Sequence, residues 1–167
     1  ERPPLSKALL VADSEPRLDV LDEQAWTRCA VELVTGAEAI RLDPAQRQVQ
    51  LADGTVITYD RCLLATGGEA RTLACAPAGA PGIHYLRTLD DARRLKQALR
   101  RRPQVAVLGG GFLGLEIAHS ALSAGSSVTL LEFAPSLLAR FLPPEASRWV
   151  EGTPRGEGAR RMLRAGV

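Results

Sequence analysis

Apolar residues change their spacing along this chain, and each change marks a different kind of element. Residues 1–30 follow no period apart from a helix-like stretch around Glu23–Cys29. From Val31 the runs "VELVTG", "AIRLD" and "RQVQLADGTVITYD" are short, rich in β-formers and separated by turn residues, which predicts a small antiparallel meander. Asp53-Gly54, between Val49/Leu51 and Val56, predicts a type I′ hairpin turn, in which both central residues take positive φ. Asp43-Pro44 supplies a second turn. "RCLLATGG" (61–68) predicts a buried strand that ends in a tight glycine turn.

Beyond residue 73 the texture changes again. The stretch "ACAPAGAPGI" (74–83) is poor in charge and rich in Ala, Pro and Gly, and reads as a connector. Thr88 and Asp91 have capping-box spacing and open a helix that runs to about Arg100. After Pro103 come "VAVL", "GGGFLG", "LEIAHSALSA" and "SVTLLE": strand, glycine turn, helix and strand, with Gly125 placed as the residue just past the helix end. This is a β-α-β unit.

Gly109, Gly111 and Gly114 carry the G-x-G-x-x-G spacing at the start of that unit. The first permits a sharp turn, the second lets a pyrophosphate approach the backbone, and the third lets the helix pack against the sheet. The helix N-terminus then offers amide donors and a positive dipole to phosphates. Glu132 closes the second strand, where a carboxylate accepts ribose hydroxyls and repels a 2′-phosphate, so NAD is favoured over NADP. Arg140, further along, is the nearest following cation that bears against that preference. A purely structural glycine turn is the alternative. Glu116 reads in two ways from position alone, as an acid stabilised by the helix dipole or as a polar contact to a nicotinamide.

Bulk properties narrow the field. Net charge is +2, and Lys7 and Lys96 are the only lysines among 21 basic residues, so nothing advertises nucleic acid. Arg100-Arg101-Arg102 falls at the expected end of a helix, where cations complement the dipole. No apolar run approaches the ~20 residues that cross a bilayer. Cys29, Cys62 and Cys75 are widely spaced and form no CxxC pair, which argues against a zinc site or disulfide scaffold and suits a reducing, cytoplasmic setting. His84, His119, Trp26 and Trp149 read as structural residues.

A β-meander, then "LLATG", then a glycine cradle resembles the two-dinucleotide-binding flavoprotein reductases, and within them the ferredoxin and rubredoxin reductase branch. That branch includes putidaredoxin reductase, dioxygenase reductase components and apoptosis-inducing factor. The matching stretches are "RPPLSK" (2–7), "DGTVITYDRCLLATGGEAR" (53–71), "GIHYLRTLDDARRL" (82–95), "VAVLGGGFLGLEIA" (105–118) and "VTLLEFAPSLLARFLPPEAS" (128–147). The resemblance implies an α/β fold: part of an FAD-binding domain with an antiparallel meander (1–82), then part of a Rossmann-like NAD-binding domain (83–167). It places Arg2 and Lys7 along the flavin, Ala39 at its adenine, Thr66 and Gly67 in a tight turn beside it, and Arg71 reaching towards it. Lys7 read alone is a solvated lysine beside a turn. Gly109, Gly111, Phe112, Leu113, Gly114, Glu116 and Glu132 would serve NAD, with Lys7 and Glu116 the candidate catalytic pair.

The implied activity is an oxidoreductase that passes a hydride from NADH to FAD and then single electrons to a ferredoxin or rubredoxin-type iron–sulfur protein, possibly within an oxygenase system. "PLSKALLVA" has no cysteine, so dithiol chemistry is disfavoured. An NADH-binding flavoprotein with a signalling or assembly role, or a bare NAD-binding module, are the alternatives. Family members also have an earlier glycine turn for FAD and further C-terminal segments, so the chain is expected to be a fragment, inactive alone and weak in FAD binding. In "EGTPRGEGARRMLRAGV" (151–167), Gly, Pro and Arg are expected to spoil the family's helix, and an altered reading frame is one explanation.

Overall fold

The computed structural model describes residues 3–17, 19, 21–152 and 159–163. In chain order its elements are a 3-10 turn (Pro3–Ser6), α1 (Ala8–Val11), α2 (Glu23–Arg28), β1 (Ala39–Asp43), β2 (Gln48–Leu51), β3 (Val56–Thr58), α3 (Leu89–Leu99), β4 (Gln104–Leu108), α4 (Phe112–Ser123), β5 (Ser127–Glu132), α5 (Pro144–Gly152) and β6 (Ala159–Leu163). The expected α/β architecture is present as a parallel sheet with helices and an antiparallel meander. Two compact units form, Glu1–Leu18 with Glu69–Val167, and Asp19–Gly68.

In the unit Asp19–Gly68, the Asp22 carboxylate caps α2 by accepting the Ala25 N–H at 2.7 Å. β1, β2 and β3 pair antiparallel in that order, with Val49 between Leu42 and Ile57. The Asp43 carboxylate accepts the Ala45 and Gln46 N–H groups and shapes the first turn. The second turn differs from the type I′ expectation. Only Gly54 has positive φ (90°), and its N–H donates to the Leu51 carbonyl at 3.0 Å. This is a three-residue loop in which glycine alone takes the left-handed position. Asp53 is held by its side chain instead, which accepts the Thr55 N–H at 2.9 Å.

Two predicted strands do not form. Residues 31–35 are irregular, with Leu33 and Val34 exposed, and in "RCLLATGG" Leu63 and Leu64 are 88% and 68% exposed. Apolar runs become strands when a neighbour satisfies their backbone, and among the described residues no strand pairs with either run.

The other unit is built on the parallel order β4-β5-β6. β4 and β5 pair from Gln104↔Ser127 to Leu108↔Leu131, and α4 makes the crossover between them. α3 carries the full capping box: the Thr88 hydroxyl accepts the Asp91 N–H, and the Asp91 carboxylate accepts the Thr88 N–H. α4 ends as expected, with Gly125 at φ 85° and the Gly125 and Ser126 N–H groups returning to Leu122 and Ala121. β6 pairs parallel with β5 from Val128↔Ala159 to Glu132↔Leu163, so a strand forms within the tail, while α5 reaches only its first two residues. Gly152 is the last residue of α5, and the tail's other Gly and Pro residues are not among the described ones. Residues 153–158, where the expected spoiling of the helix falls, and the terminal "RAGV" (164–167) lie outside the described residues. Trp149 is exposed.

The core explains how the first residues are held. Leu5, Leu9 and Leu10 bury with Ala92, Leu95 and Leu99 of α3, Ala118 and Ala121 of α4, and Val107, Val128 and Leu130 of the sheet. A four-residue helix has no stability of its own, so α1 exists because each buried leucine contributes about 1.5–3 kcal/mol. Lys96 donates to the Ala12 carbonyl at 2.6 Å and Arg93 pairs with Glu15 at 2.7 Å, tying the segment to α3.

Candidate functional site

The glycine turn follows β4 directly. Gly109 adopts φ 109°, a conformation reserved for glycine, and its N–H donates to the Leu131 carbonyl at 2.8 Å. A side chain at Gly114 would overlap the Gly109 carbonyl oxygen, so this glycine is what lets α4 approach the turn. Gly111 differs from both. Its φ of −80° suits any residue, and a Cβ built there meets nothing within 4 Å. The fold therefore gives no reason for glycine at 111, whereas a phosphate group brought against the start of α4 does. This open backbone at a helix N-terminus fits a dinucleotide pyrophosphate.

Gly110, which the spacing argument passes over, is crowded. A Cβ there would lie 2.6 Å from Leu137 Cδ2 and 3.0 Å from Glu132 Oε2. Its N–H donates to Glu132 Oε2, while Glu132 Oε1 accepts the Ala134 N–H at 2.6 Å. The Gly110 carbonyl accepts the Leu138 N–H at 3.0 Å, and Leu137 N–H donates to Glu151 Oε1 at 3.0 Å. Phe112 and Leu113 open α4 with half-exposed side chains, and the Phe112 ring lies 5.0 Å from that of Phe141.

One turn further along α4, Glu116 meets the start of the chain. Its Oε1 lies 3.0 Å from Lys7 Nζ, and its Oε2 accepts the Ser6 hydroxyl at 2.6 Å. Ser120, one helical turn after Glu116, donates from its buried hydroxyl to the Ser6 carbonyl at 2.7 Å. The Ser6 hydroxyl, with help from the Lys7 ammonium, holds the Glu116 carboxyl below its ordinary range against the burial that would raise it. A groove of about 480 Å³ runs alongside, lined by Lys7, Val11, Leu115, Glu116, His119 and Ser123. Sequence reasoning named Lys7 and Glu116 but assigned no role to Ser6 or Ser120. The i, i+4 spacing of Glu116 and Ser120 was the available signal.

The remaining candidates are placed as follows. Arg71 is exposed, in the same unit as the cradle. Ala39, Thr66 and Gly67 belong to the unit Asp19–Gly68, all exposed, with Gly67 at φ 80°. Arg2 lies outside the described residues. Cys29, Cys62 and Cys75 are free, exposed thiols, and among the described residues no group of three metal-ligating side chains assembles. No described helix is long and apolar enough to cross a membrane.

The pyridine nucleotide-disulphide oxidoreductase family model matches residues 1–167, and the chain belongs to that family. Among its relatives is a rubredoxin-NAD(+) reductase of Pseudomonas putida, 35% identical over 166 residues, covering 99% of this chain and 43% of the relative. The ferredoxin–NAD(+) reductase component of the anthranilate 1,2-dioxygenase system of Burkholderia cepacia is 46% identical over 147 residues, covering 86% of this chain and 36% of that protein. Among solved structures, a ferredoxin reductase from Rhodopseudomonas palustris superposes with a TM-score of 0.83 at 36% identity, covering 98% of this chain and 41% of that one. Putidaredoxin reductase in its covalent complex with putidaredoxin gives 0.82 at 35% identity, covering 100% and 41%. The chain thus spans about two fifths of the length of these relatives.

Proposed function

We propose that this protein is the NADH-dependent, FAD-containing reductase of a cytoplasmic electron-transfer chain, delivering electrons to a ferredoxin- or rubredoxin-type iron–sulfur protein. The observation that carries this reading is the meeting of Lys7 with Glu116 at 3.0 Å, which sets a cation from the first residues against the helix that opens the dinucleotide cradle. The names of the relatives, reductases of rubredoxin and of dioxygenase ferredoxins, support it.

Each residue then has a task. Gly111 and the first amides of α4 receive the pyrophosphate, and Gly109 and Gly114 shape the turn that presents them. Glu132 accepts ribose hydroxyls and disfavours a 2′-phosphate. Glu116 would contact the nicotinamide, and Lys7 would lie along the flavin, where its ammonium would favour negative charge on the ring. Arg2, Ala39, Thr66, Gly67 and Arg71 contribute flavin contacts. Bound FAD supplies two-electron acceptance and one-electron release, which no side chain here offers.

The test is anaerobic titration of the full-length protein, loaded with FAD, with NADH and then a ferredoxin-type acceptor. Bleaching of the flavin bands by NADH, followed by reduction of the acceptor, is the expected result. A protein that takes up no flavin and ignores NADH overturns the proposal.

A further inference from the structure

We infer that Glu132 is a positioning residue of the cradle itself, whose carboxylate braces the glycine turn. Both of its oxygens are already engaged by backbone: Oε2 by the Gly110 N–H and Oε1 by the Ala134 N–H at 2.6 Å. The crowding at Gly110 is part of the same device, because only a residue without Cβ admits the carboxylate and Leu137 this close. On its other side the Gly110 carbonyl accepts the Leu138 N–H, so the two peptide units flanking the Gly110 Cα are each held, one by the end of β5 and one by the loop that follows it. In the run Gly109-Gly110-Gly111, the middle glycine serves the carboxylate and the last serves the ligand.

This inference rests on the dinucleotide reading only for its consequence. A carboxylate oxygen has two acceptor sites, so each Glu132 oxygen retains one for a ribose hydroxyl while keeping its amide. Discrimination against a 2′-phosphate and the shape of the turn are therefore invested in one side chain. Removing the charge to admit NADPH also removes an acceptor the turn needs, so the preference does not switch by substitution at 132 alone.

The experiment has a ligand-free arm and a ligand arm. In ligand-free protein, Glu132→Ala and Glu132→Gln are compared with the unsubstituted chain by residue-resolved amide hydrogen exchange. Exchange at Gly110 and Ala134 is expected to accelerate tenfold or more in Glu132→Ala, and at one of the two amides in Glu132→Gln, whose side chain keeps a single acceptor oxygen. Unchanged exchange at both amides in both variants overturns the inference. In the ligand arm, both variants are expected to lose NADH affinity at least tenfold with no gain for NADPH. A variant that binds NADPH more tightly than the unsubstituted protein does, with both amides still protected, overturns it as well. If the unsubstituted protein binds no dinucleotide, the proposed function fails, yet the exchange arm still decides whether Glu132 braces the turn. Should Glu132→Ala not fold, Glu132→Gln alone suffices.

Discussion

The ammonium of Lys7 and the carboxylate of Glu116 lie 3.0 Å apart, yet the residue that fixes the carboxylate is Ser6. Lys7 is 58% exposed at its side chain, whereas Ser6 is buried and donates to Glu116 Oε2 at 2.6 Å. Solvent screening weakens the first interaction far more than the second.

Ser6→Ala is therefore expected to raise the Glu116 pKa towards the ordinary 4.5 and to cost roughly 1–2 kcal/mol at neutral pH, while Lys7→Ala costs under about 1 kcal/mol. The folded pKa lies below the unfolded one, so this stabilisation is fully present above pH 4.5 and is lost as pH falls through the folded value. A carboxyl NMR titration with thermal unfolding at several pH values checks both parts. An unmoved Glu116 titration in Ser6→Ala contradicts the assignment.

Gly111 and Gly114 are expected to separate ligand binding from folding. Gly114→Ala collides with the Gly109 carbonyl and should destabilise by about 1–3 kcal/mol or more. Gly111→Ala meets open space and should leave the melting temperature nearly unchanged while weakening NADH binding tenfold or more. Equal effects of the two on melting would refute this division, which calorimetry and a dinucleotide titration read together.

Thr88→Ala removes the hydroxyl that accepts the Asp91 N–H at 3.2 Å and should cost about 1 kcal/mol. Thr88→Ser keeps the hydroxyl and should restore most of it. Denaturant unfolding of the pair distinguishes the lost cap from a lost methyl group.

Leu9→Ala opens a cavity where α1 meets α3 and α4 and should cost about 2–5 kcal/mol. Because Lys7 and Ser6 precede that helix directly, the Glu116 titration should also shift upward. Destabilisation without any change at Glu116 would show that the ion pair is held independently of α1.

What the sequence disclosed was local. The capping box at Thr88, the helix stop at Gly125, the sharp turn at Gly109 and the close helix approach at Gly114 are patterns within a few residues, and each stands as read. What it concealed depended on distant partners. "LLATG" has the composition of a buried strand but no described strand to pair with, and composition carries no information about a neighbour's presence. Asp53-Gly54 signalled a turn correctly but not its geometry, because a single left-handed glycine satisfies the hairpin as well as two such residues do. Ser6 reaches Glu116 from the far end of the chain, and Gly110 matters only once Leu137 and Glu132 fold over it.

The burial of Leu5, Leu9 and Leu10 limits how this molecule can be trimmed. An expression boundary drawn just before Thr88, to isolate the nucleotide cradle as a minimal piece, would delete those leucines and strip water-excluding cover from α3 and α4 together. Such a piece would carry exposed apolar surface and is expected to aggregate, an outcome that would say nothing about nucleotide recognition.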